Sequence, residues 1–408
     1  MRRWLLAGLA VAFVTNSGCA GPTSSPIATE SSQPSPTGAQ SPPSLPYATP
    51  SQTRTSTPTP PLPSLSFPLA TPSELETTGP LDLNIQTVPD RFTHLLGQVR
   101  SLGDSIAWVT GEDLYRFVPG EAQPELVFSA PPSSLIPDFV GSRAGYAIIT
   151  QETGNDNLPY RWRLWFLRDA ASEPILVDQF DNDQMPLPTL AMDDQRIAWT
   201  RTQGDGDNVS SELRVVAIDA LDKAQTLSTS DFANVNVDDP ALHDDELWYG
   251  VRINDWDAGT ESPHVEMRDL AHLDAPPTVY GSDVRAFMPA VNDQVVVWKG
   301  GGADEDSADN WGSVYVSWRT DGSIERVPDA GAGLDRLLYP SVGNRFVAWW
   351  DGRSQVFVYD LKARAVRQIV GYDRSGTAVS SSIAGNLLTF TTSHNGQNLQ
   401  LAWALLPS

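Results

Sequence analysis

The residues best suited to chemistry are aspartates that cluster with asparagine and glycine in polar stretches of the chain. Four such stretches are 151–160, 203–211, 254–263 and 300–310, and the last one reads GGGADEDSADN. Carboxylate and amide oxygens beside flexible glycines are the ligands that Ca²⁺ needs, and Ca²⁺ is the only cofactor that the pattern suggests. The spacing of an EF-hand loop is missing, so the same stretches also fit plain hydrophilic loops.

Acidic and aromatic residues in or beside these stretches, together with those of QFDNDQ at 179–184, make up the candidate binding residues, which we call the acidic loop face. They are Asp181, Asp183, Asp205, Asp207, Asp255, Asp257, Asp304, Asp306, Asp309, Trp256 and Trp311. A further acidic stretch, VNVDDP at 235–240, is predicted to be a connection between two strand units. Gathered like charges raise one another's pKa until a cation or a basic partner neutralises them. We therefore expect this face to bind a basic ligand or a divalent cation.

The sequence contains no familiar catalytic motif. There is no His-Glu-x-x-His, no Gly-x-Ser-x-Gly and no glycine-rich phosphate loop. Gly103-Asp104-Ser105-Ile106 faintly resembles an esterase nucleophile block, but it lies on a predicted strand, which is the wrong context for a nucleophile. The histidines show no ligand spacing, so no zinc site or other histidine-based metal site is predicted. They are His94, His243, His264, His272 and His394.

Three functions remain open. Non-enzymatic binding of a protein, peptide or glycan through the acidic loop face is the leading hypothesis. The alternative is a hydrolase or lyase with Asp/Glu acid–base pairs at a channel mouth, which would need two carboxylates about 5–10 Å apart and at least one raised pKa. The third is a structural envelope component without a specific ligand.

Short strands must hold these loops, and the clearest strand pattern is YPSVGNRFVAWWDGRSQVFVYDLKARAVRQIVG at 339–371. Its alternating runs, separated by Gly, Asp and Asn, predict four antiparallel strands joined by tight turns. A proline followed by Trp or Tyr eight to eleven residues later recurs every 49 to 52 residues, at Pro137, Pro188, Pro240, Pro289 and Pro340. Related motifs around Trp108 and Phe390 raise the count to seven units. Seven units of four strands predict an all-β, seven-bladed β-propeller.

Two expectations follow from such a ring. The repeated tryptophans occupy equivalent strand positions and are predicted to be core residues; they are Trp108, Trp199, Trp248, Trp298 and Trp349. The seventh unit has only three strands before Ser408, whereas LDLNIQTV at Leu81–Val88 has no partner of its own. We predict that this segment closes the last blade, because closure removes exposed strand edges. The propeller domain is then residues 81–408.

The first eighty residues differ from the rest. Met1–Gly18 carries two arginines and an apolar run, Trp4–Val14, that is too short to span a bilayer core of about 30 Å, which indicates an export signal peptide. Cys19, the only cysteine, follows directly, and this arrangement resembles the bacterial lipoprotein signal. The resemblance implies lipidation of Cys19 and anchoring on the extracytoplasmic side of the membrane. Residues 19–80 are rich in Pro, Ser and Thr and are predicted to form a disordered tether.

The charge balance limits the partners. The chain has 27 Lys and Arg against 50 Asp and Glu, a net charge of −23. Nucleic acid and anionic lipid surfaces both require a basic patch, so neither is an expected partner and the membrane is contacted only through the lipid. We expect a monomer that binds an envelope protein, a peptide or a glycan.

The sixth unit, residues 339–371, resembles the propeller repeats of TolB-like proteins. It is also similar to repeats of prokaryotic surface proteins, in which a proline leads to an Ile-Val-Trp strand and then to a Tyr-Asp-Leu strand. In this chain the corresponding segments are FVAWW and VYDL. The resemblance implies a propeller of the cell envelope that binds other molecules, and it implies no single activity.

Overall fold

The computed structural model describes residues 81, 83–89, 96–153, 159–181, 186–205, 208–255, 260–301, 313–327, 339–350, 355–369, 376–394 and 397–408. All of them belong to the second of two compact units of the chain, Pro60–Ser408. Within these ranges the strands form seven four-stranded sheets in which neighbouring strands are antiparallel. No helix in the described ranges has the length and apolar character needed to cross a membrane.

Each sheet is one blade. Blade 1 comprises β2 (Leu96–Ser101), β3 (Ile106–Thr110), β4 (Asp113–Phe117) and β5 (Glu125–Ser129). Blade 2 comprises β6 (Ser134–Ser142), β7 (Gly145–Thr153), β8 (Pro159–Leu167) and β9 (Ile175–Phe180). Blade 3 comprises β10 (Leu190–Met192), β11 (Arg196–Asp205), β12 (Asn208–Ala217) and β13 (Gln225–Asp231). Blade 4 comprises β14 (Val235–His243), β15 (Glu246–Asp255), β16 (Thr260–Asp269) and β17 (Thr278–Tyr280).

A 3₁₀ turn at Ser282–Val284 leads to blade 5, which comprises β18 (Phe287–Val291), β19 (Val295–Gly300), β20 (Ser313–Trp318) and β21 (Ile324–Arg326). Blade 6 comprises β22 (Ser341–Val342), β23 (Phe346–Trp350), β24 (Val356–Asp360) and β25 (Ala365–Gln368). Blade 7 comprises β26 (Gly376–Ala384), β27 (Leu387–His394), β28 (Gln397–Leu405) and, from the other end of the domain, β1 (Gln86–Thr87). The seven-bladed propeller predicted from the sequence is therefore confirmed.

The repeated prolines lie in or just before the inner strand of each blade. Pro137, Pro240 and Pro289 fall where the pairing of β6, β14 and β18 with the second strand shifts register. Pro188 and Pro340 come just before β10 and β22. Proline has no N–H to donate to a ladder, so it is confined to bulges and strand starts. The inner strand of a propeller blade has one edge that pairs with no other strand, along the central channel. A bulge or a strand start that contains proline is tolerated at such an edge.

The core lies between neighbouring blades. The five repeated tryptophans all belong to second strands, and none is more than 4% exposed, so their assignment to the core is confirmed. Trp248 of blade 4 and Trp298 of blade 5, for example, belong to one apolar cluster with Val265 and Tyr315. A single blade could not bury these side chains, so the blades depend on one another.

The closing segment is confirmed as the outer strand of blade 7. Gln86 and Thr87 pair with Trp403 and Ala402, and the Val88 amide donates to the Leu401 carbonyl at 2.9 Å. The regular ladder is shorter than the predicted segment because the chain first crosses the end of blade 6, where Leu81 forms a bridge with Ile369.

Because neighbouring strands are antiparallel, successive connections between them lie on alternate sides of the propeller. Links between second and third strands, and links from one blade to the next, lie on one side, which we call the upper face. Turns between inner and second strands lie on the opposite side, the lower face. Neighbouring lower-face turns are hydrogen-bonded, as where Asn292 Nδ2 donates to the Gly343 carbonyl at 2.7 Å and the Asn344 amide donates to the Gly385 carbonyl at 2.8 Å.

Candidate functional site

Three residues of the acidic loop face are described, and all three lie at the upper face. Asp205 and Asp255 end the second strands of blades 3 and 4. Asp181 follows the outer strand of blade 2, is exposed, and lies 3.6 Å from Arg161 (Oδ1 to Nε). Their role in binding stays a prediction. The remaining predicted residues lie outside the described ranges, namely Cys19, Asp183, Asp207, Trp256, Asp257, Asp304, Asp306, Asp309 and Trp311.

The stretch 235–240 is not a connection between units, as predicted, but part of the inner strand β14. Its register against β15 shifts between Asp238 and Ala241, and Asp239 has a left-handed backbone with φ of 48°. The prediction was wrong because acidic residues followed by proline are usual in turns, whereas here they form a bulge in a strand. Both aspartates are thereby placed on the strand that borders the central channel.

Polar groups of neighbouring blades meet along this channel, and we call them the channel cluster. They are Arg100, Asp138, Thr189, Asp238, Asp239 and Tyr339. Arg100 of blade 1 donates to Asp138 of blade 2 at 3.0 Å (Nη2 to Oδ1). Thr189, just before blade 3, donates through its hydroxyl to Asp238 of blade 4 at 2.9 Å and accepts the Asp239 amide at 3.1 Å. Asp138 and Asp238 therefore each have a partner from the preceding blade.

Asp239 differs from these two aspartates. Its amide is hydrogen-bonded, but no described residue donates a hydrogen bond or forms an ion pair to its carboxyl group. The pKa of Asp239 is raised well above its usual range, first by burial and then by the charge of Asp238, while Arg252 and Arg100 oppose the rise in part. Loss of hydration is the main cause, although Asp239 as a residue keeps part of its surface in contact with solvent.

A buried lysine lies within the electrostatic range of Asp239. Lys299, near the upper end of β19, is only 3% exposed, and its Nζ lies 5.1 Å from the centre of the Phe287 ring. Burial lowers the pKa of Lys299 to about 8, while the charge of Asp239 acts in the opposite direction. The pKa of Tyr339 is raised by partial burial and then by the charges of Asp239 and Asp238, although half of the residue faces solvent.

Two groups with opposite pKa shifts therefore interact electrostatically: the Asp239 carboxyl group binds protons more readily than usual, and the buried Lys299 amine binds them less readily. Sequence reasoning missed this pairing because Asp239 and Lys299 lie in different repeat units. The one available signal was the doubled aspartate before Pro240, since the other four repeated prolines have no acidic residue before them.

Asp239→Asn is expected to stabilise the protein at neutral pH, because it removes a carboxyl group whose charged form is disfavoured by burial and by the charge of Asp238. The folded state raises the pKa of Asp239, so it binds more protons than the unfolded chain, and wild-type stability falls as pH rises through the folded pKa. The substitution removes that fall, and Asn tolerates the left-handed backbone. Urea unfolding at several pH values should show the two proteins converging below about pH 4.

The matched control is Asp138→Asn in the same channel, which weakens an existing ion pair with Arg100 and should lower stability instead. An Asp239→Asn protein that is no more stable than the wild type at neutral pH would contradict the account of Asp239.

Comparison with solved structures supports the fold. The β-propeller domain of the Trilobed protease from Pyrococcus furiosus matches with a TM-score of 0.54 and 9% identity over 76% of this chain and 92% of that one. An acylaminoacyl peptidase from Pyrococcus horikoshii matches with a TM-score of 0.53 and 10% identity, over 75% of this chain and 51% of that one. A prolyl endopeptidase matches with a TM-score of 0.52 and 13% identity, over 73% of this chain and 45% of that one. This chain thus spans about half the length of the two peptidases.

No protein-family model matches the chain, and no curated protein does either. Identities this low establish a shared fold and nothing about activity. The fold defines the class: a seven-bladed β-propeller, in which the channel cluster lies among the inner strands.

Proposed function

We propose that this protein is a non-enzymatic binding propeller of the cell envelope, and that the channel cluster binds a basic group of a protein or peptide. The observation that carries the proposal is the carboxyl group of Asp239, which has no described partner and is surrounded by the further charges of Asp238 and Asp138. A cation placed there would relieve the repulsion among the three carboxylates, and that relief favours binding.

Other features of the channel and of the whole chain also favour a basic ligand. The exposed ring of Tyr339 offers a face on which an ammonium or guanidinium group can lie. A net charge of −23 attracts basic partners over longer distances, and the acidic loop face would extend the contact at the upper face. The signal-like Met1–Gly18 and Cys19 support an exported, lipid-anchored protein, with residues 19–80 as the tether.

Trilysine is a suitable probe for calorimetric titration of the full chain, with trialanine as the uncharged comparison. Binding is expected to release protons, because a cation displaces the proton from Asp239, and the release is measured by titration in two buffers of different ionisation enthalpy. Asp239→Asn should weaken trilysine binding at least about tenfold and remove the proton release.

Asp169→Asn is the control, since Asp169 is an exposed carboxylate in the turn that joins the third and outer strands of blade 2. If Asp239→Asn binds trilysine as the wild type does, the channel is not the site. A loss of binding in Asp304→Asn/Asp306→Asn/Asp309→Asn would then assign it to the acidic loop face. If Ca²⁺ stabilises the protein against unfolding and trilysine does not, the acidic loop face binds a divalent metal ion and not a basic ligand.

A hydrolase or lyase is the second candidate, favoured by the raised pKa of Asp239 and the lowered pKa of Lys299. Opposite shifts in neighbouring groups are typical of acid–base catalysis. The two functions differ in pH dependence. Binding a cation requires ionised Asp239, so affinity should rise as pH passes through its raised pKa, whereas a general acid must be protonated and would lose activity over the same range.

A further inference from the structure

Two lower-face turns bring together a histidine and two aspartates from neighbouring blades. His243 ends β14 and is followed by Asp244, while Asp293 lies in the turn between β18 and β19 of blade 5. The Nε2 atom of His243 lies 3.0 Å from Asp293 Oδ1 and 3.8 Å from Asp244 Oδ2. One donor atom from each of the three residues lies within 4.8 Å of the other two.

We infer that His243, Asp244 and Asp293 form a binding site for a divalent transition-metal ion such as Zn²⁺, which would link blades 4 and 5. Donor atoms bound at about 2.0 Å to a tetrahedral Zn²⁺ are about 3.3 Å apart, and the two distances to His243 Nε2 lie on either side of that value. Each of these two distances differs from the tetrahedral value by no more than about half an ångström, and all three donor atoms lie within 4.8 Å of one another. The sequence predicts no zinc site because its histidines lack ligand spacing, whereas two of the three donors in the structure are carboxylates.

The chemistry of the donors selects the type of metal. Imidazole nitrogen is a good ligand for Zn²⁺ and its transition-metal neighbours, while Ca²⁺ and Mg²⁺ prefer oxygen ligands only. The side chains of Asp244 and Asp293 are 86% and 89% exposed, so the fourth position on the metal faces solvent and can take water. His243 itself is only 19% exposed, which limits its rotation.

The two turns are held from the other side by contacts that do not use these three side chains. Arg196 of blade 3 donates to the Asp244 carbonyl at 2.8 Å. Asn292 accepts the Val295 amide at 2.8 Å and reaches the next blade through Gly343. A metal ion would therefore bind between two fixed backbones, with little loss of conformational entropy.

The test measures the melting temperature and the Zn²⁺ affinity of the full chain after treatment with EDTA. Zn²⁺ is expected to raise the melting temperature by a few degrees, while Ca²⁺ and Mg²⁺ at equal concentration should not. His243→Ala should weaken Zn²⁺ binding at least about tenfold. Asp293→Asn should weaken it similarly, and because Asp293 is 89% exposed this variant keeps the fold. Co²⁺ should give visible absorption bands in the wild type that both variants lack.

His272→Ala is the matched control, because His272 also lies beside an aspartate, Asp269, at 2.8 Å, but no second carboxylate completes the set among the described residues. This variant should bind Zn²⁺ as the wild type does. The site is disproved if the wild type does not respond to Zn²⁺, if His243→Ala and Asp293→Asn respond unchanged, or if His272→Ala loses the response. The channel proposal is independent of all three results, since no residue is shared.

Discussion

Deletion of residues 81–88 is expected to lower the free energy of unfolding by about 5 kcal/mol. Val88 is 1% exposed, and full burial of one such side chain contributes about 1.5–3 kcal/mol. Leu81, Leu83 and Ile85 are partly buried against the cluster between blades 6 and 7 and contribute the rest. The deletion also leaves β28 with an unpaired edge, which favours aggregation.

The control is deletion of eight residues from 20–80, the predicted tether, which should leave the melting temperature unchanged. Calorimetry of the two deletions and the full chain measures the difference. Equal melting temperatures would mean that the ring does not depend on β1 for its closure, despite the pairing of Gln86 and Thr87 with β28.

Asp360→Ala is expected to cost about 2–3 kcal/mol, because a buried carboxylate that accepts hydrogen bonds from the Arg345 guanidinium and from two backbone amides is lost. Asp360 lies at the end of β24, and its side chain is 2% exposed. It accepts two hydrogen bonds from Arg345, at 2.9 and 2.6 Å, and the amides of Lys362 and Ala363 at 3.0 and 3.1 Å. Removal of the carboxylate leaves these donors unsatisfied, and unfolding in urea measures the cost.

The carboxyl group of Asp360 also makes the stability of the protein depend on pH in the acidic range. Burial alone would raise the pKa of Asp360, but the hydrogen bonds from Arg345, Ala363 and Lys362 outweigh it and lower the pKa. A carboxylate with a lowered folded pKa adds stability above its unfolded pKa of about 3.9 and loses it as pH falls through the folded pKa. Asp360→Asn should therefore be less stable than the wild type near neutral pH, and this difference should shrink in acid.

Asp169→Asn is the comparison for Asp360. Asp169 also accepts an amide two residues further on in the turn between third and outer strands, at 3.0 Å from Ala171, but it is exposed and forms no ion pair with an arginine of the described ranges. Its loss should change stability far less. If the two substitutions had equal effects, the turn itself would account for the stability and the ion pair with Arg345 would not.

The two functional proposals concern different residues in different parts of the ring and can succeed or fail separately. The channel cluster opens among the inner strands and is matched to a basic ligand. The proposed metal site of His243, Asp244 and Asp293 lies among the lower-face turns, where neighbouring blades are already hydrogen-bonded. A metal ion there would stabilise the scaffold while the channel remains free for its ligand.

The sequence by itself determined the strand pattern of each blade and the number of blades. Alternation in runs such as FVAWW and VFVYD is a local property, and the spacing of the repeated prolines follows from the strand count of each unit. The closing role of residues 81–88 could also be predicted, since an unpaired strand and an incomplete last unit are both visible in the chain. Core tryptophans were predictable for the same reason, because each occupies the same place in its unit.

Only the tertiary structure decided which polar groups meet. Arg100 and Asp138 are separated by 38 residues, and Thr189 and Asp238 by 49, so each contact depends on how adjacent blades are rotated and packed. The bulge at Asp239 follows from the pairing of β14 with β15, which the run VNVDDP does not show. His243 meets Asp293 because two turns from consecutive blades lie side by side on the lower face. Local alternation fixes each strand, whereas the sites arise from contacts between blades, and those contacts have no local signal in the sequence.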